Sequence, residues 1–246
     1  MGAMKVFAFL LLSAAAPTVY PDRSLILWAT SAQEGLESVD RPAPSPDLVV
    51  HMDTPANLRL PALPEGLVFQ AAALDAGLVG TVLREMGKRD RVQSRLLSVN
   101  VLDREGDTLA RPYAIISSAE GLRVLVVGVT PVPPDAPLRG VHTNPSAQAV
   151  RSLAQSIFRR VRYNLLVVLL PETLAGAQAF AKELGIADVV IYRRRPEGGA
   201  ALSTVSAEKG ITVALVPAST EGFMRVRVTA SHAGERRYRV RSAESY

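Results

Sequence analysis

Cysteine is absent from all 246 residues. That excludes disulfides, thiolate metal sites, cysteine nucleophiles, haem attachment and lipoprotein acylation. It also removes redox chemistry as a guide to compartment. Histidine is scarce, occurring only at His51, His142 and His232. Aromatic residues are few, and the single tryptophan, Trp28, sits in an apolar run and reads as core. No ribonucleoprotein strand or zinc-finger spacing accompanies the basic residues, so no nucleic-acid partner is expected. There is no Gly-x-Ser-x-Gly, Walker loop, dinucleotide glycine fingerprint or His-Glu-x-x-His. Internal repeats are lacking too, and Gly198-Gly199 is a plain turn.

What is present describes a globular protein with a full core. Hydrophobic residues make up 48% of the chain and charged residues 21%, with a formal net charge of +5. Most of the positive charge is arginine, and it is clustered. One group is Arg159, Arg160 and Arg162; the second is Arg193, Arg194 and Arg195; the third is Arg236, Arg237, Arg239 and Arg241. Such patches attract anionic lipid or an acidic protein surface, and a solvated high-arginine surface is the plainer reading of any one of them.

At the N-terminus, Lys5 precedes the apolar run Val6 to Ala16, and Pro17 closes it. This is the pattern of a secretory signal peptide. The run is shorter than the ~20 residues of a membrane span. Lys5 to Leu12 would equally suit a buried strand of a parallel sheet. Residues 1–20 are therefore read as a signal-like or anchoring segment, and 21–246 as a single domain. The expected location is periplasmic or extracytoplasmic, with the N-terminal segment as a membrane tether.

Further along, Leu25 to Thr30 and Leu48 to Met52 read as strands, separated by the proline-rich stretch Asp40 to Pro46. Pro55 to Pro64 reads as a loop. Val68 to Met86 has helical spacing, with Ala72, Leu74, Leu78, Val82 and Met86 on one stripe. Leu96 to Val101 is a strand, and Asp103 to Asp107 a turn in which Gly106 supplies the positive φ. Tyr113 to Ser117 and Leu122 to Val129 form a strand pair. A helix runs from Asn144-Pro145-Ser146 to about Arg162, with Val150, Leu153, Ile157 and Val161 inward. The unbroken apolar runs Leu165 to Leu170 and Ala187 to Tyr192 mark strands of a parallel sheet covered on both faces. Between them, Pro171 and Glu172 open a helix that ends near Leu184. Three strands follow, at Thr212 to Val216, Phe223 to Thr229 and Arg236 to Val240. Strands alternating with helices, then a run of strands, indicate a layered α/β sandwich with mixed sheets flanked by helices.

The segment Arg95 to Ile116, followed by Leu122 to Pro131, closely resembles the middle of the 5′-nucleotidase-like metallophosphatases. In that family a "sANv…g…f.PY.i" stretch leads into a "G.kVgviGvt" strand. The resemblance covers about four-fifths of the chain, and it implies the family's α/β sandwich. The ligand-bearing motifs are another matter. Where the family has "hTnD.HG", this chain has Leu27-Trp-Ala-Thr-Ser-Ala-Gln-Glu-Gly-Leu-Glu37. The "DaGD" motif corresponds to Val50-His-Met-Asp-Thr54, so Asp53 matches the bridging carboxylate. The core of "GNHEfD" is replaced by Arg91-Val-Gln-Ser-Arg-Leu96. Val168-Leu-Leu-Pro-Glu-Thr-Leu174 stands at "vlLsHlG" without its histidine, and Tyr192-Arg-Arg-Arg-Pro196 at "GGHsH". Asp53 and His51 are the weak surviving metal candidates; three guanidiniums at Arg193–Arg195 repel a dication.

The expectation is a non-catalytic pseudoenzyme with no metal and no cofactor: an exported accessory subunit, membrane-associated and bound to other protein subunits. Arg193, Arg194 and Arg195 are expected to bind an anion or a partner, and Arg236, Arg237, Arg239 and Arg241 a partner. The alternatives are an anion- or nucleotide-binding module and a divergent phosphoesterase using Asp53.

Overall fold

In a computed structural model the described residues are 21–30, 46–51, 70–74, 76–132, 138–193, 212–216, 224–233 and 238–245. The elements run β1 (Arg23–Thr30), β2 (Leu48–His51), β3 (Gln70–Ala73), a single 3₁₀ turn (Ala76–Leu78), α1 (Val79–Glu85), α2 (Lys88–Gln93), β4 (Leu96–Leu97), β5 (Val101–Leu102), β6 (Tyr113–Ser117) and β7 (Arg123–Gly128). They continue with β8 (His142–Thr143), α3 (Ser146–Arg160), β9 (Leu165–Leu170), α4 (Leu174–Leu184), β10 (Val189–Arg193), β11 (Thr212–Val216), β12 (Met224–His232) and β13 (Tyr238–Ser245). No described helix is long and apolar enough to cross a membrane.

Two mixed sheets stack face to face. One has the order β13-β12-β1-β2-β3-β4, the other β11-β10-β9-β7-β6. Side-chain parity explains why the central strands are apolar throughout. In β9 all six residues are buried. Leu165, Val167 and Leu169 enter the core between the sheets, beside Leu25, Leu27, Leu48 and Val50 of the facing sheet. Leu166, Val168 and Leu170 turn to the opposite face, where Val150 and Ile157 of α3 and Ala177 and Phe180 of α4 cover them. The outer face of the first sheet has its own cluster, in which Ala72 and Leu96 meet Val79 and Val82 of α1. The layers are therefore helix, sheet, sheet, helix. The sequence pattern of apolar runs is the direct imprint of strands with two dry faces. β12 has only one: Val226 and Val228 are buried and Arg227 between them is exposed.

The expected central strands occupy the middle of the second sheet, with β9 between β7 and β10, both parallel to it. β6 and β7 form the expected antiparallel pair, turned at Gly121. Several expectations need correction. The helical stripe from Val68 is half wrong: Gln70–Ala73 is strand β3, inserted between β2 and β4, and the helix starts only at Val79. Three consecutive alanines favour helix locally, but a central sheet position overrides that preference. The strand expected at Leu96 to Val101 is two short strands separated by Ser98–Asn100. α4 starts at Leu174, not Pro171; Thr173 is its N-cap, and its hydroxyl accepts from the Gly176 N–H. In α3 the inward stripe is Ala147, Val150, Ala154 and Ile157, and Val161 lies beyond the helix end, exposed.

The sheets converge at Gly128, the last residue of β7. A Cβ there would fall well inside van der Waals contact of the Leu97 carbonyl oxygen and the Leu97 Cβ. Only glycine permits this approach, and backbone on both sides leaves nothing flexible to yield. Gly128→Ala should therefore destabilise the fold by about 3 kcal/mol through overpacking. Gly80→Ala in α1 makes only an ordinary 3.5 Å contact with Arg84, and should stabilise by about 0.5 kcal/mol from helix propensity. Urea denaturation of both variants checks the pair; a neutral Gly128→Ala would contradict the close approach.

Candidate functional site

In open α/β sheets, ligands bind beyond the carboxyl ends of parallel strands. Here β1, β2, β3 and β4 are mutually parallel, as are β7, β9, β10 and β11. The polar groups at these ends therefore decide what chemistry the frame can support.

The best-defined polar group there is a buried network on the segment that crosses between the sheets. The Asn100 amide donates to the Thr130 carbonyl at 2.8 Å, and the Thr130 N–H donates to Asn100 Oδ1 at 2.9 Å. The same amide donates to Ser146 Oγ at 3.2 Å, where α3 begins. Ser98 and Thr130 share a hydroxyl hydrogen bond of 2.8 Å. Ser98, Asn100 and Thr130 are all essentially inaccessible. These side chains satisfy one another, as buried polar groups must, and they make a structural tie.

His51 ends β2. Its register partners are Thr30 and Ala72, and it shares a face with Val49, opposite Leu48 and Val50, which enter the inter-sheet core. It therefore faces the α1 side of the sheet. It is 3% exposed, and burial lowers its pKa to about 4. The imidazole is neutral at pH 7. Asp53 lies outside the described residues, as do 31–45, 52–69 and 194–211, which follow β1, β2 and β10. A dinuclear centre needs several carboxylate, imidazole and amide ligands held ~2 Å from ions about 4 Å apart. The described strand ends contribute His51, Glu172 and the self-satisfied network, and these do not compose such a set.

Among the described residues, one group of three ligand-type side chains comes close together, and it lies elsewhere. The carboxylates of Asp103, Glu105 and Asp107 converge in the turn after β5. Gly106, at φ 86°, lets the turn close. Asp103 Oδ1 accepts from the N–H groups of Glu105 at 3.0 Å and Asp107 at 3.1 Å. A cation already serves this group: Lys88 Nζ is 3.0 Å from Glu105 and 2.5 Å from Asp107. Hydrogen bonds to Asp107 and then Glu105 raise the lysine pKa further above its usual value. The sequence signalled the turn but not the lysine that closes it, because Lys88 approaches from α2.

The arginines singled out in the sequence are not assembled into one described site. Arg193 ends β10, with its side chain outside the described residues; Arg194, Arg195, Arg236 and Arg237 also lie outside them. Arg239 is exposed on β13. Arg241 is the extra residue of a bulge opposite Thr229 and Ala230, and it pairs with Asp22 at 3.2 Å. His142 is exposed, and His232 packs edge-on against Tyr238.

The chain matches no protein-family model and no curated protein sequence. Its fold is shared with solved structures. The NAD nucleotidase NadN of Haemophilus influenzae superposes with a TM-score of 0.56 at 12% identity, over 92% of this chain and 56% of that one. A hypothetical protein of Thermus thermophilus superposes with a TM-score of 0.54 at 13% identity, over 91% of this chain and 98% of that one. The fold is of the 5′-nucleotidase and metallophosphatase type. The chain thus spans little more than half of the nucleotidase.

The burial of His51 has a measurable consequence. Its folded pKa of about 4 lies below the ordinary 6.5. The unfolded chain therefore binds the proton first, and stability falls as pH drops from 6.5 towards 4. The full effect is about 3 kcal/mol. Urea denaturation at pH 7 and pH 4.5 should show His51→Gln losing less stability than the parent over that interval. Equal losses would contradict the buried neutral imidazole.

Proposed function

We propose that this chain is a non-catalytic accessory subunit built on a metallophosphatase-type frame, exported and held at a membrane in a larger protein assembly. The observation that carries the reading is the condition of the strand ends. Four of the five ligand motifs have other residues in this sequence. The described polar groups at the same end, Ser98, Asn100 and Thr130, are spent on holding the sheets together. A frame kept without its ligands retains a surface role, and function must be argued from sites, not from fold.

The exposed arginines supply the surface. Arg is enriched at interfaces and binds carboxylates bidentately. Arg239 and Arg241 stand on the edge strand β13, and Arg193–Arg195 and Arg236–Arg237 complete the basic character. The N-terminal apolar segment supports export or anchoring. A stable contact of this kind buries on the order of 1,200 Å² or more in total. The competing reading, a divergent phosphoesterase, takes its support from the nucleotidase likeness and from Asp53.

Two measurements separate the readings. Elemental analysis and hydrolysis assays on the purified chain should give no stoichiometric metal and no turnover of nucleotides or generic phosphate esters. Two transition-metal ions per chain, with hydrolysis abolished by Asp53→Ala, would overturn the proposal. Gentle isolation from native membranes at low salt should recover a stoichiometric partner. Charge reversal at Arg239 and Arg241, or high salt, should weaken that association; recovery solely as a free cytoplasmic monomer would refute it.

A further inference from the structure

On the face covered by α1, four arginines that are distant in sequence line one open pocket of about 500 Å³. Arg84 comes from the last turn of α1 and Arg91 from α2. Arg104 lies in the turn after β5, and Arg139 in the turn before β8. The remaining lining is Gly80, Leu83, Asp103, Glu105 and Gly140. Leu83 is the only large apolar side chain among them, so the pocket suits a charged ligand, not an apolar body.

The charges here are unbalanced. Asp103 Oδ1 is bonded to two N–H groups of its own turn, and Glu105 is engaged by Lys88. Among the described residues Arg104 and Arg139 form no ion pair, and Arg84 donates only to Thr81, at 3.3 Å. Arg91 is the decisive residue. It is 8% exposed, yet its one ion pair, to Asp103, is 3.4 Å long, and its Nε has no hydrogen-bond partner among the described residues. Charge-assisted pairs ordinarily close to about 2.7–2.9 Å. A buried donor left unmade costs about 1–3 kcal/mol. The unmet Nε is itself buried, so this guanidinium sits under-compensated behind the pocket wall that Arg91 helps to line.

The backbone makes room for the convergence. Gly140 has φ +78°, and a Cβ there would meet Arg104 Nη2 at 3.7 Å and Leu83 Cδ1 at 3.8 Å. Arg104 is thus laid along the turn that carries Arg139. Guanidiniums approaching from several elements can surround a tetrahedral oxyanion, each presenting its planar fork. A planar carboxylate uses one such fork. The volume exceeds the space a single phosphate fills.

We propose that this pocket binds a polyvalent phosphate, a ligand carrying at least two linked phosphoryl groups. The site is independent of the strand ends and of the accessory-subunit reading. No described residue at the carboxyl ends of the parallel strands contributes to it.

The experiment is calorimetric titration of the purified full chain with inorganic pyrophosphate in metal-free buffer at low ionic strength. Saturable binding is expected, with Kd below about 1 mM. Arg104→Glu and Arg139→Glu change exposed side chains, so the fold should tolerate them; each should weaken binding by about tenfold or more, equivalent to about 1.4 kcal/mol. Arg91→Lys keeps the charge but loses the fork, and should weaken binding as well. Arg159→Glu, exposed on α3, should leave Kd unchanged. Citrate at matched ionic strength should bind at least about tenfold more weakly. Absence of saturable heat up to about 10 mM would overturn the site. So would an equal effect of Arg159→Glu and Arg139→Glu, which would indicate general charge attraction. Citrate binding as tightly as pyrophosphate would overturn the assignment to phosphate.

Discussion

The Asn100 carboxamide takes the place of a strand backbone. It both donates to and accepts from Thr130, as a neighbouring residue in a ladder would. This reciprocal pair is where the two sheets are joined. Just before it, Leu97 still belongs to the first sheet, pairing with β3. Just after Ser98, the Val99 N–H donates to the Gly128 carbonyl of the second sheet at 2.9 Å. The crossing happens within a few residues, and it needs glycine at 128 to let the strands touch. Each hydrogen bond contributes only about 1 kcal/mol net, but the group acts as a unit in a dry place. Removing Asn100 would strand Thr130 N–H and C=O together, and each orphan costs more than the bond was worth. The same side chain reaches Ser146 and so fixes where α3 begins. Sheet stacking, helix placement and strand-end geometry all depend on this tie.

This dependence bears on chemistry. Metal sites are built from polar side chains that the fold leaves uncommitted and partly hydrated. At the described strand ends the fold has committed them. Ser98, Asn100 and Thr130 face one another, and His51 is turned to the α1 side and desolvated. A group made neutral by burial can still offer a lone pair, but one imidazole is a single ligand, and a pair of ions needs several.

Much of this architecture was legible in sequence for a simple reason. Strands with two dry faces must be apolar at every position, so β7, β9 and β10 announced themselves as unbroken runs. A turn was legible where a positive φ demanded glycine, at Gly106. The failures are equally physical. Gln70–Ala73 has no β-branched residue, and nothing local marks it as a strand; its neighbours β2 and β4 decide its state. The crossing at Ser98–Asn100 reads as a continuation of a strand, because its hydrogen bonds go to residues about thirty positions away. The arginine clusters that catch the eye, Arg193–Arg195 and Arg236–Arg241, are sequence neighbours, which says little about where a fold gathers charge. Arg84, Arg91, Arg104 and Arg139 do not read as a cluster because they are spread over four separate elements.

Charge placement follows from the same layering. The described arginines of β13 point into solvent, where a guanidinium is hydrated and each surface ion pair is worth little, as with Arg241 and Asp22. Arg91 is different, because its surroundings exclude water and leave a donor unmet. Electrostatic attraction grows as the medium dries, so one buried guanidinium with three others around it is a stronger anion trap than a longer run of fully solvated arginines. The turn chemistry reinforces this. Asp103 is held by its own backbone N–H groups, and Lys88 occupies Glu105 and Asp107. Glu105 and Asp107 are thereby turned to Lys88, and Asp103 offers Arg91 a single long contact of 3.4 Å. Where this domain carries binding capacity is decided less by how many arginines it has than by which ones the fold leaves without enough anions.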